Sequence, residues 1–203
     1  MAGNLFIISA PSGAGKTSLV RQLLQSDPNI QKSVSYTTRA PRPGEMNGRE
    51  YHFVSLADFE QRRLAGDFVE SALVHGNYYA TSREWINERR AAGKDIVLEI
   101  DWQGALAVRH ASAEAISIFI VPPSYEALSS RLKNRATDSP AVIAQRLKNA
   151  RDEISHLYEF DYVIINQDFS RAAHELAAIV ISQRLKCARQ IECHQQLINQ
   201  LLH

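Results

Sequence analysis

Eight consecutive residues near the N-terminus combine the residue types that bind a polyphosphate. They are Ala10, Pro11, Ser12, Gly13, Ala14, Gly15, Lys16 and Thr17. The two glycines let the backbone turn so that several N–H groups face one anion. Lys16 adds a mobile positive charge, and Thr17 adds a hydroxyl that can bind Mg²⁺. The stretch therefore predicts a site for a nucleoside triphosphate such as ATP, with Thr17 contacting the Mg²⁺ ion that the nucleotide carries.

The segments on either side of these residues have the patterns of a strand and a helix. Residues 5–8 form a short apolar run that is typical of a buried strand. Residues 18–24 have helical spacing, with Leu19, Val20, Leu23 and Leu24 on one face. Strand, glycine-rich loop and helix together make the phosphate-binding P-loop, although the strict motif has glycine where this chain has Ala10.

A second group of anion-binding side chains follows in residues 39–50. This segment holds two prolines, two glycines and three arginines without periodicity, which predicts an electropositive loop. Arg39 and Arg42 could hold a second phosphate, because a guanidinium donates two parallel hydrogen bonds. Ser35, Tyr51 and Tyr79 could add hydroxyl donors. Taken singly, each of these arginines is more typical of a solvated surface charge, and each tyrosine of a half-buried aromatic residue.

The rest of the chain alternates between apolar strands and helices. Strands are predicted at residues 5–8, 33–37, 96–101, 116–121 and 162–165. Five such strands separated by helices predict an α/β fold of the P-loop NTPase type, with a parallel sheet covered on both faces.

Residues 36–83 interrupt this alternation and predict a small mixed α+β lobe. Strands are expected near residues 51–54 and 68–74, and a capping box at Thr81–Glu84 predicts the start of a helix. The expected division is a core of residues 1–35, 84–125 and 152–203, the lobe 36–83, and a helical lid 126–151. The C-terminal tail beyond about residue 190 is either an oligomer contact or a helix that packs on its own core.

Composition excludes several classes of protein. The 203 residues are 45% hydrophobic and 22% charged, with 23 basic against 22 acidic side chains, so nucleic acid and anionic membranes are not expected partners. No apolar stretch approaches membrane-spanning length, and no basic residue precedes the first apolar run. Cys187 and Cys193 are expected to be free thiols, and the scattered histidines predict no structural metal site. We expect a cytoplasmic protein.

Several motifs of the sequence together resemble those of the guanylate kinase family. Residues 33–45 read SVSYTTRAPRPGE, residues 47–51 read NGREY, residues 76–79 read GNYY and residues 100–104 read IDWQG. These motifs match the family in order and spacing, particularly the form found in bacterial enzymes. The resemblance runs from the P-loop to about Asn166 and implies ATP-dependent phosphorylation of GMP.

The resemblance also implies roles for individual residues on the GMP side. The GMP phosphate is held at positions matching Ser35, Arg39, Arg42, Tyr51 and Tyr79. The guanine is read at positions matching Glu70 and Thr81, because guanine offers N1–H and N2–H₂ as adjacent donors to one carboxylate. Adenine would present a lone pair instead, and a site built on such bonds can reject the wrong base by about 10⁴-fold.

On the ATP side, the resemblance implies a mobile lid whose arginines close over the triphosphate. Its arginines match Arg131, Arg135 and Arg146, and Asn166 matches an adenine-side position. From the residues alone, the less favoured alternative is a pair of amphipathic helices with exposed basic faces. Asp101 ends a central strand and is a candidate in both catalysis and GMP binding, either through Mg²⁺-bound water or through an arginine that holds the substrate.

Four positions depart from the family pattern. They are Ala80 and Ala136, where glycine is common, Gln167, where an acidic residue is usual, and Glu99, where aspartate is usual. Two alternative functions remain at this stage. One is a non-catalytic guanylate-kinase-like interaction module, in which P-loop or phosphate-binding residues are typically lost. The other is a P-loop kinase for a different phosphorylated acceptor.

Overall fold

The computed structural model describes residues 1–74, 76–133 and 140–202. Within them lie nine strands: β1 (Leu5–Ser9), β2 (Ile30–Lys32), β3 (Tyr36–Thr37), β4 (His52–Phe53), β5 (Phe68–Val74), β6 (Asn77–Ser82), β7 (Asp95–Glu99), β8 (Ile116–Val121) and β9 (Tyr162–Ile165). The helices of the same residues are α1 (Lys16–Ser26), α2 (Leu56–Ala65), α3 (Arg83–Ala91), α4 (Trp102–Ala111), α5 (Tyr125–Lys133), α6 (Pro140–Ser155), α7 (Phe169–Arg184), α8 (Cys187–Cys193) and α9 (Gln195–Leu202). A 3₁₀ turn, His156–Glu159, follows α6.

A five-stranded parallel sheet forms the centre of the larger unit, in the order β2-β7-β1-β8-β9. In the middle of β1, Ile7 pairs with Leu98 of β7 on one side and with Ser117 of β8 on the other. All strands run the same way, so their carboxyl ends meet at one edge, where β1 leads directly into the glycine-rich loop. The predicted α/β fold with a five-stranded parallel sheet is confirmed.

Helices cover both faces of this sheet. On one face, α1 and α7 pack through Leu19, Leu23 and Leu176 against strand residues such as Ile118. On the other face, α3, α4 and the end of α6 enclose a core that includes the fully buried Phe119. Each such side chain stabilises the fold by about 2 kcal/mol on burial, which explains why the strand sequences are almost continuously apolar.

A second, four-stranded sheet lies within residues 36–82, in the order β4-β3-β6-β5. It is mixed, since β3 runs parallel to β4 but antiparallel to β6. Phe59 of α2 and Phe68 of β5 form its small core with Ala80. Ser55 caps α2 by accepting a hydrogen bond from the backbone N–H of Asp58.

The prediction of one core strand over residues 33–37 is wrong. The fifth strand of the large sheet is β2 (Ile30–Lys32), and residues 36–37 belong to the small sheet as β3. Ser33 makes a last backbone hydrogen bond to Val97, and the chain then crosses from one sheet to the other. The β propensity of this segment is real, but local propensity does not say with which sheet a strand pairs.

Two further groups of helices complete the described residues. The helices α5 and α6 share a small core that contains Leu128, Leu132 and Ala150. The C-terminal region is three helices rather than one continuous helix, with breaks after Arg184 and Cys193. Among the helices described, none combines the length and apolar character that crossing a membrane requires.

Candidate active site

The residues between β1 and α1 form a tight loop around the start of the helix. Gly13 and Gly15 both have positive φ, at 92° and 99°, a conformation that side-chain-bearing residues rarely adopt. A Cβ atom at Gly15 would also lie 2.3 Å from the amide nitrogen of Asn166. The backbone angles of both residues, and the close approach at Gly15, therefore require glycine here.

Lys16 opens α1 and turns back under the loop. In the described structure its ammonium donates to the carbonyl oxygen of Ile100 at 3.0 Å. Burial lowers the pKa of Lys16, although three nearby carboxylates oppose that fall. These carboxylates belong to Glu99, Asp101 and Glu153. Because Lys16 is buried, solvent would screen its attraction to a bound phosphate only weakly.

Thr17 is tied to the neighbouring strand by a chain of polar contacts. Its hydroxyl donates to Oε1 of Glu99, while the ammonium of Lys32 lies 3.1 Å from Oε2 of the same carboxylate. Burial alone would raise the pKa of Glu99, but the charges of Lys16 and Lys32 and the two hydrogen bonds hold it below its ordinary value. Glu99 therefore stays ionised beside the loop.

A cleft of about 430 Å³ opens between the P-loop and the small sheet. P-loop residues line it together with Ser35, which directly precedes the lobe, and Tyr51 within the lobe. Asp101, which follows β7 after Ile100, also lines the cleft. The structure thus brings two of the five predicted phosphate-binding hydroxyl and arginine residues to the same opening as the P-loop.

The predicted residue Arg39 lies in a group of its own within the lobe. Its Nη2 is 2.8 Å from Oε1 of Glu45, and its guanidinium carbon is 5.4 Å from the centre of the Tyr51 ring. The rings of Tyr51 and Tyr79 meet edge to face at 5.7 Å. Arg42 joins through its backbone N–H, which donates to Glu45, while its side chain is exposed. Glu45 thus pre-positions one arginine and the loop that carries the other.

Glu70 and Thr81 face each other across the β5–β6 pair and are both buried. The Thr81 hydroxyl donates to Oε1 of Glu70 at 2.6 Å. Burial raises the pKa of Glu70 to about 7; the negative charge of Asp101 adds to this, and the Thr81 hydrogen bond opposes it. A Cβ atom on Gly104 would lie 2.9 Å from Oε2 of Glu70, so the glycine gives this carboxyl its space.

The prediction that Thr81 caps the following helix is wrong. Ser82 is the cap of α3, and its hydroxyl accepts a hydrogen bond from the backbone N–H of Trp85. Thr81 instead ends its strand with the side chain turned to Glu70. The two residues are adjacent and both can cap, so the pattern alone placed the cap one residue early.

Arg131 connects α5 to the P-loop. Its guanidinium donates to the carbonyl oxygens of Ala14 at 3.2 Å and Asn166 at 3.0 Å. The side chain of Asn166 donates to Ala14 as well, at 2.7 Å. Arg146 lies half-buried on α6, whereas Arg135 and Ala136 lie outside the described residues.

Comparison with known proteins shows the same combination of elements elsewhere. The family model described as guanylate kinase matches residues 2–183. The chain is 58% identical to the guanylate kinase of Methylobacillus flagellatus over 202 residues, which is 100% of both chains. It is 56% identical to that of Aromatoleum aromaticum, over 97% of this chain and 96% of the other. The chain belongs to the guanylate kinase family.

A solved structure supports the family membership at the level of the fold. The guanylate kinase of Anaplasma phagocytophilum aligns with a TM-score of 0.77 and 35% identity, covering 93% of this chain and 89% of that one. In the present chain, a second, mixed sheet accompanies the P-loop sheet.

Three departures from the family pattern can be placed. The side chain of Glu99 reaches the Thr17 hydroxyl across the carboxyl edge of the sheet. Ala80 is fully buried in the core of the small lobe, on the strand that carries Thr81. Gln167 is exposed after β9. Of the three, Glu99 lines the cleft, and it keeps the carboxylate that the usual aspartate would supply.

Sequence reasoning missed four residues of this region: Lys32, Glu45, Gly104 and Glu153. Glu45 could have been found, since it is one of the two acidic residues within the arginine-rich loop. Gly104 stands inside the IDWQG motif, but nothing local indicates that it makes room for a carboxyl from another strand. Glu153 accepts a hydrogen bond from the backbone N–H of Ser12, 141 positions earlier, and a contact over such a distance leaves no local signal.

Proposed function

We propose that this protein transfers the γ-phosphoryl group of ATP to the phosphate of GMP, giving ADP and GDP. The observation that carries the proposal is the opposition, across one cleft, of a P-loop and a lobe that holds a buried carboxyl suited to guanine. Membership in the guanylate kinase family supports the same reaction.

In the proposed reaction, an oxygen of the GMP phosphate attacks the γ-phosphorus of ATP in line. The bond from that phosphorus to the β,γ-bridging oxygen breaks, and the electron pair stays with ADP. Lys16 and the P-loop N–H groups hold the phosphates of ATP, while lobe residues orient the attacking phosphate. Positioning and charge neutralisation supply most of the rate enhancement in such reactions.

The donor set beside the P-loop fits a magnesium ion. The Thr17 hydroxyl donates a hydrogen bond to Glu99, which leaves the lone pairs of its own oxygen for a cation. Glu99 and Asp101 supply further oxygen atoms at the same edge, and Mg²⁺ prefers oxygen ligands. When bound with ATP, the ion neutralises charge that develops on the phosphates. Thr17 is the residue that we propose to contact it.

We assign guanine recognition to Glu70 and Thr81. Ionised Glu70 can accept from both N1–H and N2–H₂ of guanine, and its burial makes an unmatched base costly. Adenine would leave the carboxylate facing a lone pair. Asp101 lies close enough to raise the pKa of Glu70, which couples the base site to the end of β7.

The phosphate of GMP is assigned to Ser35, which directly precedes the lobe, and to four residues within it: Arg39, Arg42, Tyr51 and Tyr79. Arg39 is already oriented by Glu45 and is flanked by aromatic rings, so it loses little freedom on binding an anion. The GMP phosphate would accept hydrogen bonds from the N–H groups of Arg39 that do not donate to the Glu45 carboxylate. On this account, residues 36–83 act as the GMP-binding lobe.

Arginines on the ATP side are assigned to charge neutralisation over the triphosphate. Arg131 already contacts the P-loop backbone, and Arg146 lies on α6. We include Arg135 on the family pattern, with residues 126–151 as the lid and Asn166 beside the adenine. A lid that closes over the triphosphate brings this positive charge and also excludes water, which would otherwise compete with GMP as the phosphoryl acceptor.

Neither alternative function has a specific observation in its favour. The interaction-module alternative expects losses in the P-loop or phosphate site, yet Lys16, Thr17, Arg39 and Arg42 are all present. A different acceptor would need another base or sugar site, while the buried pair of the lobe suits guanine.

We also propose that the protein self-associates through α9. Leu197, Leu201 and Leu202 are exposed by 53%, 76% and 74% on this helix, and Ile198 lies beside them. A second copy would bury the same apolar face symmetrically. Sedimentation should show a dimer or larger assembly that Leu201→Glu converts to monomer. A monomeric wild-type protein at micromolar concentration would contradict this assignment.

The reaction itself is tested by product analysis. Incubation with MgATP and GMP should give ADP and GDP in equal amounts, and Lys16→Met should abolish both while the protein remains folded. Lys94→Met is the matched control, because Lys94 bonds to Asn29 away from the cleft and its loss should leave turnover intact. Formation of ADP without GDP, or undiminished turnover in Lys16→Met, would refute the proposal.

A further inference from the structure

A carboxylate of the protein itself occupies part of the P-loop region in the described structure. Glu153 lies in the last turn of α6, and its Oε2 accepts a hydrogen bond from the backbone N–H of Ser12 at 3.2 Å. It lines the same cleft as Lys16 and Asp101. A backbone N–H of the phosphate-binding loop is therefore already paired with an anionic side chain.

The chemistry of this contact is that of a phosphate substitute. The loop N–H groups and Lys16 form a site for negative charge, and a carboxylate is an anion that such a site accepts. Lys16 and Ser12 favour the ionised form of Glu153, yet burial raises its pKa all the same, and the charges of Asp101 and Asp152 add to the rise. The Glu153 carboxylate therefore accepts a hydrogen bond from the loop, but its charged form is not well stabilised there.

A polyphosphate is the stronger ligand for the same atoms. It carries several negative charges and more acceptor oxygens, whereas Glu153 offers one charge and one hydrogen bond to the loop. Both cannot use the Ser12 N–H at once, and a phosphate group beside an ionised carboxylate would be repelled. Binding of a polyphosphate therefore requires Glu153 to leave.

We propose that Glu153 is an affinity-determining residue of the triphosphate site, an internal competitor that occupies the Ser12 N–H until a polyphosphate displaces it. The inference rests on the proposed function only in requiring that the P-loop binds polyphosphates. Because α6 is one helix from residue 140 to 155, the departure of Glu153 also ties occupancy of the P-loop to the position of this helix.

The inference is tested by the affinity of the purified full-length protein for inorganic tripolyphosphate and for MgATP, measured by calorimetry. Glu153→Gln keeps the shape of the side chain and removes its charge. The variant should bind tripolyphosphate about fivefold to tenfold more tightly than the wild type, since no ionised group has to be displaced. Thermal unfolding of the variant verifies that it is folded.

Asp152→Asn is the matched control. Asp152 precedes Glu153 on the same turn but is exposed, so its loss should change the affinity by less than about twofold. Equal tightening in both variants would mean that only the general field of α6 acts, and would overturn the inference. Unchanged or weaker binding by Glu153→Gln would overturn it as well.

The wild-type measurement separates this inference from the proposed function. If the wild type binds neither tripolyphosphate nor MgATP, the proposed function fails and the inference fails with it. If the wild type binds both and Glu153→Gln binds them equally well, the inference alone is wrong and the nucleotide site stands.

Discussion

The protonation of Glu70 gives the proposed guanine site a pH dependence that can be calculated. Its pKa is about 7 because the carboxyl is buried, and only the ionised form can accept hydrogen bonds from both guanine donors. The fraction available for GMP is therefore about one tenth at pH 6 and about nine tenths at pH 8. The affinity for GMP through this group should accordingly fall about tenfold from pH 8 to pH 6.

The phosphate of GMP titrates in the same range, with a second pKa of about 6, and its titration must be separated from that of Glu70. Glu70→Gln provides the separation. The glutamine can still accept from Thr81 through its amide oxygen but has no proton to lose. The ratio of wild-type to variant affinity, measured by calorimetry between pH 6 and pH 8, isolates the carboxyl. A ratio that stays constant across this range would refute the reasoning.

The same titration has a second consequence, for stability. The unfolded chain ionises this residue near 4.5, whereas the folded protein keeps it protonated up to about 7. Between these values the folded state binds more protons, so the free energy of unfolding falls as pH rises through this window. The loss amounts to roughly 3 kcal/mol at pH 8. Glu70→Gln should therefore be more stable than wild type at pH 8, by chemical denaturation, and nearly equal at pH 4.5. A variant that is less stable at pH 8 would contradict the assigned burial cost.

Three further substitutions test other contacts. Gly104→Ala would place a Cβ atom 2.9 Å from Oε2 of Glu70, so the KM for GMP should rise while the KM for ATP holds, and equal changes in both would contradict this. Gly15→Ala would strain the loop by about 2 kcal/mol, because Gly15 has a φ of 99°. Nucleotide binding should be lost and the Tm lowered. Normal ATP binding would contradict the loop geometry. Arg184→Met would remove the ion pair of the buried Asp95, which lies at the opposite end of the sheet from the cleft. The variant should lose about 3 kcal/mol of stability while kcat stays unchanged. A variant as stable as the wild type would show that this pair contributes little.

Much of the fold could be predicted because its signals are local. The strands of the large sheet are almost continuously apolar, and Lys16 and Thr17 directly follow the glycines that shape the loop. Such patterns depend on residues a few positions apart, and the structure keeps them.

The strand error at residues 33–37 arises from a decision that is not local. Ser33, Val34 and Ser35 have the composition of a strand, but here the chain passes between two sheets. Which sheet takes up each residue depends on the partners β7 and β6, which lie more than 40 residues further along. Periodicity shows that a segment is extended but does not identify its partner.

The site follows the same division. The arginine-rich loop and the P-loop could be identified from composition, while guanine recognition by Glu70 and Thr81 was implied only by resemblance to the family. The hydrogen bond from Ser12 to Glu153 could not be predicted from the sequence, because it joins the two ends of a long stretch of chain. Contacts of this kind are decided by how the helices pack, and the sequence carries no periodic sign of them.

The most direct test of the central claim is the turnover of different monophosphates with MgATP under identical conditions. The series GMP, IMP and AMP changes only the purine edge that would meet Glu70, since IMP lacks the N2 amino group and AMP lacks both donors. The account predicts that kcat/KM is highest for GMP, lower for IMP, and lower for AMP by about 10⁴-fold relative to GMP. Comparable values for AMP and GMP would show that the buried carboxyl does not read the base, and would contradict the account.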